Sequence, residues 1–165
     1  MSIWDSNTIR FARKSEKKCD EYFSIVTGIT GWFQSVTKME ENNRTDYSGI
    51  TKDNRTITIE LKNRDISINQ YDTIMIEPDK FCSLTAATTN CSWYINFLES
   101  SYNKFWIVDA KSVTENQIQI KRNVKITNPE LGENYSYNED RFYIPTSCGR
   151  YYEYNTTNNR FQRIF

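Results

Sequence analysis

The hydrophobic period of this chain changes early, and that change limits what it can fold into. From about Phe11 to Gly28, the residues Cys19, Tyr22, Phe23 and Val26 recur at the i, i+3, i+4, i+7 spacing of one helix face. On that wheel Glu16 and Asp20 fall at the margin of the apolar face, while Glu21 points away. Gly28 and Gly31 supply a stop. Beyond them the apolar runs are mostly short, β-branched or aromatic, which is the signature of strands. They are Trp32 to Met39, where a strand is preferred over a continuation of the helix, Ile57 to Lys62, Asp72 to Ile76, Ser92 to Leu98, Lys104 to Val108, and the alternating Gln117 to Ile126. Pro78 suits the first turn of a second helix, running through Phe81 and Leu84 to about Thr88. Residues 128–140 read as a polar, irregular loop, and 141–144 and 161–165 as closing edge elements. A helix, strands, a helix and more strands predict an α/β (α+β) fold, a central mixed β-sheet flanked by helices. At 165 residues the chain is sized for one domain, 1–165.

What is missing is as informative. The chain has no histidine, which removes Ser-His-Asp and Cys-His catalysis, His-ligated zinc and imidazole acid–base chemistry together. An enzyme built from it must work with carboxylates, Lys, Tyr or Cys. The 21 basic and 21 acidic residues balance, so a polyanion would have to be held by a local patch. One stretch has a local excess, Lys104, Lys111, Lys121, Arg122 and Lys125 against Asp109 and Glu115, which a solvated strand face explains about as well. Cys19, Cys82, Cys91 and Cys148 lack Cys-x-x-Cys spacing, so no zinc or redox motif is indicated. The N-terminal Met-Ser-Ile-Trp-Asp-Ser has no apolar signal segment, and no run approaches the roughly 20 apolar residues of a membrane span. The expected setting is cytoplasmic, with reduced thiols and no membrane partner.

The chemistry concentrates in a hairpin. Thr45-Asp46-Tyr47-Ser48 and Ile57-Thr58-Ile59-Glu60-Leu61-Lys62 read as two strands joined through the polar turn Lys52-Asp53-Asn54-Arg55. Glu60 and Lys62, two residues apart, share a strand face. Two carboxylates and an ammonium at one sheet edge are costly to bury unless a cation compensates them. Whether Asp46 joins that face depends on the turn. A two-residue turn at Asp53-Asn54 pairs Asp46 with Leu61 and puts it on the wrong face, whereas a three-residue turn or a bulge sets it beside Glu60. Without a metal, Glu60 and Lys62 are a cross-face ion pair on a solvated strand and Asp46 a turn residue. Asp109-Ala110-Lys111 is a rival acid-x-Lys match, but its nearest preceding acid, Glu99, falls far out of register.

Asp46, thirteen intervening residues and then Glu60-Leu61-Lys62 resemble the PD-(D/E)XK nuclease superfamily, with Thr45 where the family name has Pro. The segment Tyr71 to Lys80, followed by Trp93-Tyr94-Ile95-Asn96-Phe97, is similar to small phage-type members. The resemblance covers roughly Glu16 to Lys111 and implies a restriction-endonuclease-like fold and a metal-dependent endonuclease. It implies Mg²⁺ (or Mn²⁺) held by Asp46, Glu60 and the Leu61 carbonyl, an oxygen set suited to these ions. It further implies an activated water as nucleophile, Lys62 orienting that water or stabilising the phosphate, and a helix acid, here Glu16, completing the catalytic set. DNA is the implied substrate, and cutting both strands would favour a homodimer. Lys80 and Lys111 are candidate nucleic-acid contacts, though a solvated helix face accounts better for Lys80. Glu77 either joins the acids or serves the helix N-terminus. Trp93-Tyr94 and Phe105-Trp106 could stack bases but suit a core better. The competing function is a catalytically inactive nuclease-like binding protein.

Overall fold

The structure, a computed structural model, describes residues 6–41, 43–127 and 136–164. Helix α1 spans Ser6–Thr30 and buries Cys19, Phe23 and Val26, the stripe that the 3.6 period marks. Gly28 stays inside the helix. The stop is Gly31, whose φ of 59° is the left-handed conformation that ends helices at low steric cost. Strands β1 (Phe33–Lys38), β2 (Tyr47–Thr51) and β3 (Thr56–Asn63) follow as an antiparallel meander. Then come β4 (Thr73–Ile76), α2 (Pro78–Ala86) and β5 (Cys91–Phe97). The long connection through α2 lets β5 lie parallel to β3, a pairing no tight turn can make. β6 (Lys104–Asp109), β7 (Gln119–Thr127), β8 (Ser136–Pro145), β9 (Arg150–Asn155) and β10 (Arg160–Arg163) complete the chain.

The fold is mixed α/β. A seven-stranded mixed sheet has the order β1-β2-β3-β5-β6-β9-β10, and a second sheet the order β4-β8-β7. Side-chain alternation decides the layering. Ile57, Ile59, Leu61, Ile95, Phe97, Phe105 and Ile107 pack with Cys19, Phe23 and Val26 of α1. The intervening Tyr94, Trp106 and Val108 point the other way, onto Ile74 and Ile76 of β4, Phe81 and Leu84 of α2, and Ile144 of β8. The large sheet therefore has α1 on one face, and α2 with the small sheet on the other.

Two expectations need correction. Residues 136–140, expected to be irregular, form half of β8, and the rest of that expected loop, 128–135, lies outside the described residues. Ser136 to Glu139 pair with β7 through backbone bonds and are exposed or half-buried, so this stretch needs no apolar alternation. The strand β9 was not anticipated, although Tyr151, Tyr152 and Tyr154 are residues that favour strands. No helix among the described residues is long and apolar enough to cross a membrane, and all four cysteines are free thiols.

Gly149 leads into β9 beneath the Trp106 ring. A Cβ there would fall 2.4 Å from Trp106 Cε2 and 2.6 Å from the Ile107 carbonyl oxygen. Gly149→Ala is expected to cost about 1–3 kcal/mol in urea unfolding, because ring and backbone must both give way.

Candidate active site

The hairpin turn settles the parity of Asp46. Thr51 N–H donates to the Arg55 carbonyl at 2.9 Å, so the connection is the three residues Lys52-Asp53-Asn54, with Asn54 at φ 62°. That register puts Tyr47 opposite Ile59, and Asp46, one residue before β2, comes level with Glu60. Asp46 then grips β3 on both sides of Glu60. Its N–H donates to the Ile59 carbonyl at 3.0 Å, and its Oδ2 accepts from the Leu61 N–H at 2.7 Å. A strand residue's N–H and C=O leave on the same edge, so the Leu61 carbonyl opens on Asp46's side, past the end of β2.

Glu60 is buried on the α2 face, its side chain only 8% exposed. One oxygen, Oε1, meets Lys80 Nζ at 2.9 Å, while Oε2 is buried without a hydrogen-bond partner among the described residues. Burial first, and then the nearby charge of Asp46, push the Glu60 carboxyl up to about 8, against the pull of Lys80. Asp46 is also raised, chiefly by burial, with the Leu61 N–H and Lys80 opposing.

A carboxyl that titrates higher folded than unfolded binds more protons in the native state. The stability it contributes is complete below its unfolded value of 4.5 and is lost as pH rises through about 8. In chelator, wild-type protein should therefore lose a few kcal/mol relative to Glu60→Gln between pH 5 and 8.5, at up to about 1.4 kcal/mol per pH unit. Parallel urea titrations of the two proteins check this, and parallel pH profiles would refute it.

Lys62 shares Glu60's face and reaches Glu77, with Nζ 3.3 Å from Oε1. Burial works to lower the Lys62 ammonium, but Glu77 and Tyr94 together outweigh it and the group titrates above the ordinary lysine range. Burial would raise Glu77, yet Lys62 and Arg141 bring it below its ordinary range. Arg141, buried at 4% exposure, lies 3.4 Å from Glu77 and also pairs with Glu139. Arg64 Nε donates to Asn96 Oδ1 at 2.7 Å, and its Nη2 bonds the Met75 carbonyl and the Tyr94 hydroxyl. Sequence reasoning missed Arg64 and Arg141. Period-2 spacing from Glu60 and Lys62 could have flagged Arg64, but nothing local marks Arg141, which arrives from β8.

Other candidates lie elsewhere. Glu16 is on α1, across the sheet from Glu60, and its carboxylate pairs with Lys38 at 3.0 Å. Its charge reaches Asp46 but it does not join Glu60. Lys111 is not on a free basic surface, because its Nζ is spent on the carbonyls of Ala87 and Thr89 just past α2. Asp109 of the rival motif accepts from the Ser92 and Lys111 N–H groups and starts a 3₁₀ turn. Tyr94, Phe105 and Trp106 are core. A cleft of about 560 Å³ between Trp32, Trp93, Arg55 and Arg150 lies at the other end of β3 and takes in none of the site.

No protein-family model matches the sequence, and no curated protein matches it. The site must be judged on its chemistry. Among the described residues no three His, Cys, Asp or Glu side chains are grouped to hold a metal. Two carboxylates suffice for Mg²⁺, which keeps several of its waters. Asp46, the unpaired Glu60 Oε2 and the Leu61 carbonyl offer oxygens of the kind such an ion takes, so the donor chemistry of these residues suits it.

Proposed function

We propose that this chain is a metal-dependent endonuclease that hydrolyses DNA phosphodiester bonds, with the hairpin β2–β3 serving as in restriction-endonuclease-like folds. The observation that supports this reading most is Glu60. A buried carboxylate with one oxygen lacking any donor, next to a second carboxylate, is costly in a fold that has no use for a cation there. When bound, Mg²⁺ or Mn²⁺ supplies a Lewis acid that activates water and neutralises phosphate charge. Asp46, Glu60 and the Leu61 carbonyl hold it. Lys62 keeps its proton and presents a positive charge to the phosphate, held on the strand face that it shares with Glu60. Cleavage of both strands calls for two copies of the chain.

A second reading, a binding protein that keeps a nuclease-like fold without catalysis, draws on a different observation. Glu60 and Lys62 both already have partners within the chain, Lys80 and Glu77. Calorimetry with Mn²⁺ separates the two readings, since a binding module of that kind takes up no ion. Metal-dependent nicking of supercoiled plasmid tests the first directly.

A further inference from the structure

The first turn of α2 is built against β3 in a crossed pattern. On β3, Glu60 and Lys62 are two residues apart and share a face. On α2, Glu77 is the N-cap and Lys80 sits three residues on, the spacing that aligns side chains along a helix. Lys80 meets Glu60 at 2.9 Å and Glu77 meets Lys62 at 3.3 Å, so each of the two charges that β3 brings to the site is answered by an opposite charge from one helical turn.

The Lys80 ammonium is tied down further. It donates to the Arg44 carbonyl at 2.9 Å, in the loop that leads to Asp46. It thus bridges the two segments that carry the site's carboxylates. An ordinary structural ion pair would leave neither carboxylate oxygen wanting, since a buried acceptor without a donor costs free energy. Here Glu60 Oε1 has Lys80, and Oε2 has no hydrogen-bond partner among the described residues. The ammonium compensates the buried acid only in part.

We propose that Lys80 is a resident cation of this site, a placeholder that a divalent ion must displace before it can occupy the Asp46–Glu60 pair. The inference rests on the metal-site reading above. An ion using Glu60 Oε2 would lie beside an ammonium held at Oε1 of the same carboxylate, and like charges at that separation repel strongly in a buried setting. Lys80 can yield because its side chain is 35% exposed and its four-carbon stem is flexible. Displacement frees a positive charge at the mouth of the site, where substrate phosphate would arrive. α2 then sets the threshold for metal uptake, although none of its residues is a ligand.

The test is amine-reactive labelling of the full chain with peptide mass spectrometry, run with and without saturating Mg²⁺ or Mn²⁺, with calorimetry on the same preparation. Labelling of Lys80 should rise severalfold with the ion, while Lys104, paired with Glu99 on the surface, stays unchanged. In Glu60→Leu, Lys80 should label fast from the start and ignore the ion. If that variant does not fold, the wild-type comparison still decides. Ion uptake with Lys80 labelling unchanged overturns the displacement and leaves the metal site standing. No heat of binding with either ion removes the metal site, and the displacement falls with it.

Discussion

Supercoiled plasmid incubated with the wild-type protein and Mg²⁺ or Mn²⁺ is expected to be nicked, and the rate should collapse in Glu60→Ala and in Lys62→Ala. For Lys62→Ala the expected loss is about 10²–10³-fold, the usual consequence of deleting one charge that stabilises a developing anion. Glu60→Ala should lose at least as much, because it removes a ligand from a set that has only two carboxylates. The two variants should differ in calorimetry. Lys62→Ala keeps the carboxylates and should still bind Mn²⁺, whereas Glu60→Ala should not. Glu60→Ala also leaves Lys80 without its carboxylate partner, so its lost activity counts as support for the ligand role only where urea unfolding shows the variant folded. Variants that cut as fast as wild type would end the nuclease assignment.

Trp106→Ala is expected to lower unfolding stability by about 3–5 kcal/mol, a large share of the roughly 5–15 kcal/mol of a typical domain. Trp106 is fully buried and packs with the core that joins the large sheet to α2 and the small sheet. Its Nε1 also donates to the Thr146 carbonyl at 3.0 Å. Truncation would leave a cavity and take one of that carbonyl's two donors, the Gly149 N–H at 3.1 Å remaining, so the cavity is the larger of the two costs. Urea unfolding measures the sum. A loss below about 1 kcal/mol would mean that this layer is not packed as described, since a filled site of this kind cannot collapse so cheaply.

The two effects probe one face of the large sheet on two of its strands. Glu60 and Lys62 on β3 and Trp106 on β6 are all turned toward α2 and the small sheet. Along β3, Ile57, Ile59 and Leu61 hold the sheet to α1, and the residues between them, Glu60 and Lys62, face α2. One β-strand therefore supplies both the core and the candidate chemistry, and the site inherits its rigidity from that packing.

Much of this was legible locally. The stripe of Cys19, Phe23 and Val26, the β-branched run at Ile57 to Leu61 and the helix after Pro78 follow from periodicity and backbone preference, which act within a few residues. The pairing of Glu60 with Lys62 on one face needed only the two-residue period of a strand. The position of Asp46 needed one further bit, the length of the turn at Lys52-Asp53-Asn54. Either length suited those residues, and the choice decides the face.

The partners of the site belong to the other class. Lys80 meets Glu60, Glu77 and Arg141 converge beside Lys62, and Glu16 turns to Lys38 because elements far apart in the chain pack where their apolar faces fit. A charged side chain at the margin of a helix carries no local record of which face of a sheet its helix will cover. Burial then does what no pattern in the chain announces. It removes water from Glu60, and with it the screening that would have left an ordinary surface acid.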